Sequence, residues 1–126
     1  MSSLQTPLHK VEGLGSSHSG TEHFRHERLT AIALIPLTLW FGYTALGLAG
    51  ASEVACITYL SHWWNFLLMA AFVVIALYHI RLGLQVVIDD YVHTAGGRIA
   101  LLLLVRALVL ATGSAALIAL LQIFRF

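Results

Sequence analysis

Three apolar runs, separated by short polar joints, occupy most of this chain. A helix of ~20 residues crosses the ~30 Å hydrocarbon layer of a bilayer, and the runs at about 29–48, 63–91 and 99–124 meet that length. The pattern therefore predicts three membrane-spanning helices. The first contains Pro36, which a membrane helix accommodates as a kink where neighbours satisfy the freed carbonyl. Arg25, Glu27 and Arg28 precede it, and Gly50 and Glu53 follow. Trp63 and Trp64 open the second run, where indole rings commonly anchor a helix at the interface. Gly96 and Gly97 mark a turn, and the third run is interrupted only by Arg106 and the small pair Gly113 and Ser114. Residues 1–24, rich in Ser, Gly, Thr and His and lacking an apolar period, read as a flexible arm ahead of a membrane domain at 25–126. The arm has neither the apolar core of a secretory signal nor the Arg-rich, acid-poor character of a mitochondrial transit peptide, so a bacterial origin fits better.

Composition confirms the class. Of 126 residues, 59% are hydrophobic and 10% charged, and the mean hydropathy is +0.84, which a soluble domain of this size does not show. The fold class is thus an all-α membrane protein. A formal net charge of +1, with no basic stripe, gives no electrostatic case for nucleic acid. The single cysteine, Cys56, allows neither an intrachain disulfide nor a thiolate cluster and reads as a small apolar filler. Arg25 and Arg28 before the first run and Arg98 between the second and third place the N-terminus and the second loop in the cytoplasm by the positive-inside rule. The C-terminus is then periplasmic, with Arg125 a lone dissenter.

The second run is unusual in its last half, HIRLGLQVVIDDYVH. On a helix, His79, Gly83, Val86 and Asp90 follow spacings of four, three and four and share a face, with Tyr91 the next residue round. At 1.5 Å per residue His79 and Asp90 stand roughly 16 Å apart, which puts the histidine near mid-membrane and the acid near the cytoplasmic boundary. A histidine deep in a span is costly to leave unpaired. It can serve as a haem axial ligand, as a proton-relay member, or as a hydrogen-bonding glue between helices, and spacing leaves all three open. Gly83, one turn along, either leaves room for a flat macrocycle or simply permits close packing. Asp90 and Tyr91 suit a lipophilic quinone, since a phenol donates to a carbonyl and a carboxylate orients or supplies protons; the bland alternative is a hydrated helix end. Asp89 and Asp90 oppose the helix dipole there, so they are not favourable end charges.

The remaining polar residues read more plainly. Arg81 points roughly 200° from His79 and snorkels or pairs elsewhere. Arg106 reaches the interface or meets Asp89 as a structural residue. His62 is interfacial, and His93 is a candidate to pass protons. The arm histidines, His9, His18, His23 and His26, lack metal-ligand spacing.

The stretch HIRLGLQVVIDDYVH, with a histidine, ten residues and then Asp-Tyr, resembles the second-helix signature of the small hydrophobic membrane anchors of succinate dehydrogenase, respiratory complex II. RLTAIALIPLTLWF resembles the first-helix entry of the alphaproteobacterial and mitochondrial-type members. With the three-span layout, the resemblance covers about 100 residues. It implies a helical bundle formed with a second, cytochrome b556-type anchor chain, and contacts with an iron–sulfur subunit, a flavoprotein subunit and membrane lipid. It implies that His79 is an axial ligand of a b-type haem shared with that second anchor, and that Tyr91 and Asp90 belong to a ubiquinone site. Gly83 would pack against the haem, and Arg28 would meet a propionate. FAD and the iron–sulfur clusters would lie in other subunits, in keeping with the lack of a nucleotide fingerprint or cysteine cluster here. The implied function is that of a bacterial inner-membrane anchor in electron transfer from succinate to quinone, not catalytic alone. A fumarate reductase anchor and a non-redox three-span scaffold are the alternatives.

Overall fold

The structure is a computed structural model and describes residues 18–125. Four helices occur in the order α1 (His18–Leu48), α2 (Glu53–Leu60), α3 (Trp63–Tyr91) and α4 (Ala95–Phe124). Three of them, counted from Gly20 in α1, are long and apolar enough to cross a membrane. The all-helical, three-span architecture read from hydropathy is therefore the architecture found.

Two boundaries differ from the expectation. α1 begins at His18, well before Leu29, so residues 18–24 belong to a helix and not to a flexible arm; residues 1–17 lie outside the described part. The continuation is local: the segment between Gly20 and Arg28 carries no proline, and once a helix is nucleated each added residue gains one backbone hydrogen bond. α4 begins at Ala95 rather than near Ile99, with Thr94 as its N-cap residue. α3 spans 63–91 as expected.

The joint between α1 and α3 holds an additional short helix. Gly50, at φ +81°, ends the α1 turn in the left-handed region open to glycine. Ser52 then caps α2, its side chain accepting from the Ala55 N–H at 3.3 Å, with Glu53 in the first turn where an acid meets the positive helix end. α2 lies against α3 and α4. Tyr59 reaches back to Thr44 of α1 at 3.2 Å, and the Ser61 hydroxyl stands 3.1 Å from the Ile123 carbonyl of α4.

α3 is the central element, packed on α1 along one side and α4 along the other. Lipid tails are as apolar as leucine, so burial gives little drive for helix association, and close packing with cross-helix polar contacts takes over. Phe41 stacks on Phe72 across α1 and α3 with centroids 4.6 Å apart. Phe66 meets Phe124 at the same separation, 4.6 Å, across α3 and α4. At Gly113 of α4 an added Cβ would lie 3.3 Å from Leu77 Cδ1, so the missing side chain lets the two helices approach. Among the described residues the buried apolar set is small, Leu82, Ile88 and Leu120, while leucines, isoleucines and aromatics along all three spans stay exposed. A bundle that covers so little of its own apolar surface is built to be covered by lipid and by other chains.

Candidate functional site

The end of the bundle that holds Tyr91 and Arg98 carries its densest polar chemistry. His79 lies about 18 Å from the Tyr91 end of α3, at ~1.5 Å per residue. It is half-buried on the α1 side, and its Nδ1 sits 2.8 Å from Thr30 Oγ1. Thr30 stands in α1 at the same depth, about 18 Å from the His18 end of its own helix. One turn nearer that end, Tyr78 Oη lies 3.0 Å from His26 Nδ1. The α1–α3 seam thus has two polar rungs, and His79 forms one of them.

Nothing else among the described residues hydrogen-bonds the His79 ring, so Nε2 has no partner among them. Gly83, one turn further, has open space where a Cβ would stand. Asp90 and Tyr91 are exposed at the helix end, Tyr91 by 78%. The Tyr91 hydroxyl makes no hydrogen bond among the described residues, whereas its carbonyl accepts from His93 Nδ1 at 3.1 Å. Along this stretch of α3, uncommitted polar atoms at His79, Asp90 and Tyr91 therefore alternate with open surface at Gly83. Arg28 is not gathered with them: its guanidinium stacks 5.0 Å over the Phe24 ring. Two residues from Thr30, it points roughly 200° away from the seam.

The other arginines resolve into separate contacts. Asp89 pairs with Arg98 across the α3–α4 turn at 3.7 Å, and not with Arg106 as one expectation had it. Both partners are around half exposed, so the pair contributes little to stability. Arg106 instead lines a cavity of about 650 Å³ between α3 and α4, together with Tyr78, Arg81, Leu110, Gly113 and Ser114. Arg81 leans over the Tyr78 ring at 5.7 Å, and its buried Nε has no hydrogen-bond partner. Both arginines are thus on the α4 side of α3, opposite the face of His79. His62 is exposed beside the stacked Trp63 and Trp64, and Cys56 is a half-buried free thiol in α2.

Sequence reasoning missed Thr30. A signal for it exists: a hydroxyl-bearing residue just inside an apolar run is one of the few groups able to meet a histidine on another span. It also missed α2, whose Ser52-Glu53 pair has the composition of a helix start.

The donor set bears on which groups fit here. Among the described residues no three or more His, Cys, Asp or Glu side chains gather as a metal site. A haem iron needs an axial donor with room for the macrocycle beside it; one histidine with an uncommitted Nε2 and a glycine one turn away fit that need.

Comparison with known proteins identifies the family. The family described as succinate dehydrogenase/fumarate reductase transmembrane subunit matches residues 2–115. A succinate dehydrogenase hydrophobic membrane anchor subunit of Paracoccus denitrificans is 35% identical over 86 residues, covering 68% of this chain and 67% of the relative. One of Rickettsia bellii (strain RML369-C) is 36% identical over 83 residues, with 66% of each covered. Another, of Rickettsia conorii (strain ATCC VR-613 / Malish 7), is 31% identical over 112 residues, with 88% and 89% covered. No solved structure matches. With three apolar helices and a family match over most of its length, this multi-pass membrane chain belongs to the succinate dehydrogenase/fumarate reductase transmembrane subunit family.

Proposed function

We propose that this chain is the membrane anchor of a succinate:ubiquinone oxidoreductase, contributing His79 as one axial ligand of a b-type haem and Tyr91 and Asp90 to a ubiquinone site. The observation that carries the reading is the His79 ring: half-buried in a span, held at Nδ1 by another helix, and without a partner at Nε2 among the described residues. A histidine serving only as glue between helices has no need of an uncommitted second nitrogen, and one beside open space at Gly83 suits a flat ligand. The relatives are named as succinate dehydrogenase anchors, which supplies the reaction.

The chain works as one part of a larger assembly. A second anchor chain supplies the other axial donor and the rest of the quinone site, while flavin and iron–sulfur clusters reside in soluble subunits. When bound, the haem supplies a one-electron redox centre. Tyr91 donates a hydrogen bond to a quinone carbonyl, and Asp90 beside it orients the ring or passes protons to the reduced oxygen. The positive-inside rule, applied to Arg25, Arg28 and Arg98, supports an orientation with the Tyr91 end cytoplasmic and the Phe124 end periplasmic, in what this reading takes to be a bacterial inner membrane. Gly83 is a secondary candidate, for contact with the macrocycle.

Purification in mild detergent, with subunit identification and a visible spectrum, tests the reading. Flavin, iron–sulfur and a low-spin b-type haem are expected together, and a colourless chain without a flavoprotein would leave only a scaffold role. Replacing His79 with a non-ligating residue should remove or alter the low-spin spectrum; an unchanged spectrum excludes axial ligation. The family description also names fumarate reductase, and turnover measured in both directions with quinones of different potential separates the two.

A further inference from the structure

The α1–α3 seam determines which nitrogen of His79 carries hydrogen. Thr30 Oγ1 lies 2.8 Å from His79 Nδ1, and at the same time 2.9 Å from the His26 carbonyl and 3.0 Å from the Glu27 carbonyl. A threonine hydroxyl has one proton and two lone pairs, and carbonyls only accept. Threonine inside a helix habitually gives its proton back to the preceding turn. With the proton directed to His26 or Glu27, the oxygen can meet Nδ1 only as an acceptor. The imidazole is then the donor, with hydrogen on Nδ1 and a lone pair on Nε2. The opposite assignment would leave two carbonyl oxygens facing a third oxygen with no hydrogen between them. It would also put hydrogen on Nε2, where a metal could not bind.

We propose that Thr30 is a positioning residue that holds His79 in its Nδ1–H tautomer and fixes its ring plane, so that Nε2 presents a lone pair to the haem iron. This rests on the reading of His79 as an axial ligand. Because Thr30 belongs to α1 and His79 to α3, the ligand's orientation is tied to the packing of two spans. The second rung, Tyr78 to His26 at 3.0 Å, holds the same turn of α1 whose carbonyl takes the Thr30 proton. A hydrogen bond donated from Nδ1 also makes the ring a stronger electron donor at Nε2, which favours the ferric state and lowers the midpoint potential.

The test uses the assembled complex with Thr30→Val, which keeps the volume and removes the hydroxyl, and Thr30→Ser, which keeps the hydroxyl. Haem retention on dilution and the haem midpoint are read by redox titration of the low-spin spectrum. Valine should weaken haem retention by about 10- to 100-fold, the usual effect of losing an outer partner of a histidine ligand, and raise the midpoint; serine should restore both. Thr30→Ala is read in the same way if the valine variant does not assemble. Wild-type midpoint and retention in the variants lacking the hydroxyl overturn the proposal, as does a serine variant whose midpoint departs as far as valine's. A His79 variant measured alongside separates the two claims. An unchanged spectrum there removes the ligation reading itself, whereas a lost spectrum with an indifferent Thr30 removes only the positioning role.

Discussion

Replacing Tyr91 by phenylalanine isolates the contribution of one hydroxyl. In the chain by itself that hydroxyl does nothing for the fold: the residue is 78% exposed, and the oxygen has no hydrogen-bond partner among the described residues. The ring stays, so its packing against other subunits is kept, and the thermal midpoint of the complex should not move. On the proposed reading of Tyr91, the effect then falls on quinone alone. A neutral hydrogen bond contributes about 0.5–1.5 kcal/mol, which converts to a loss of between about twofold and about tenfold in quinone affinity. If the bond to the quinone oxygen strengthens as charge develops during reduction, part of the loss appears in kcat; if it is equal in both states, the loss appears in KM alone. The assay is succinate-dependent quinone reduction by purified complex, with quinone varied and succinate saturating, beside a dye-reduction assay that bypasses the membrane site. Unchanged KM and kcat refute the donor role. A fall in thermal stability, or an equal loss in the dye assay, refutes the claim that the hydroxyl acts only at the quinone.

Substitutions at two further positions probe what holds the bundle together. Tyr59→Phe removes the 3.2 Å contact to the hydroxyl of Thr44, a residue only 5% exposed. A membrane cross-helix hydrogen bond averages about 0.6 kcal/mol, because the threonine can turn back to its own helix, so denaturation in mixed detergent should shift slightly; a loss of several kcal/mol would contradict this. At Gly113, alanine meets only the flexible end of Leu77 at 3.3 Å and should cost less than about 1 kcal/mol, while Gly113→Leu should wedge α4 off α3 and cost about 1–3 kcal/mol. Equal stability of the two variants would show that the helices do not rely on close approach there.

Hydropathy alone determined that this chain is a three-span helical membrane protein, because spanning a bilayer requires long apolar helices whatever their neighbours are. The polar face of α3 was equally legible: His79, Gly83, Asp90 and Tyr91 lie on one helix, and helical periodicity orders them without reference to another element. The Asp-Tyr signature also sufficed to suggest the family that the comparisons then bore out. Tertiary structure decided everything that depends on depth matching between spans. Thr30 and His79 meet because α1 runs antiparallel to α3 in the register that also pairs Phe41 with Phe72, so a residue placed at the edge of the first apolar run is level with the middle of the second. Asp89 takes Arg98 rather than Arg106 because a short α3–α4 turn brings the first two together while Arg106 sits deeper, in the cavity beside Arg81. Along one helix the distances follow from residue count; between helices they follow from register, and no local pattern in the sequence encodes it.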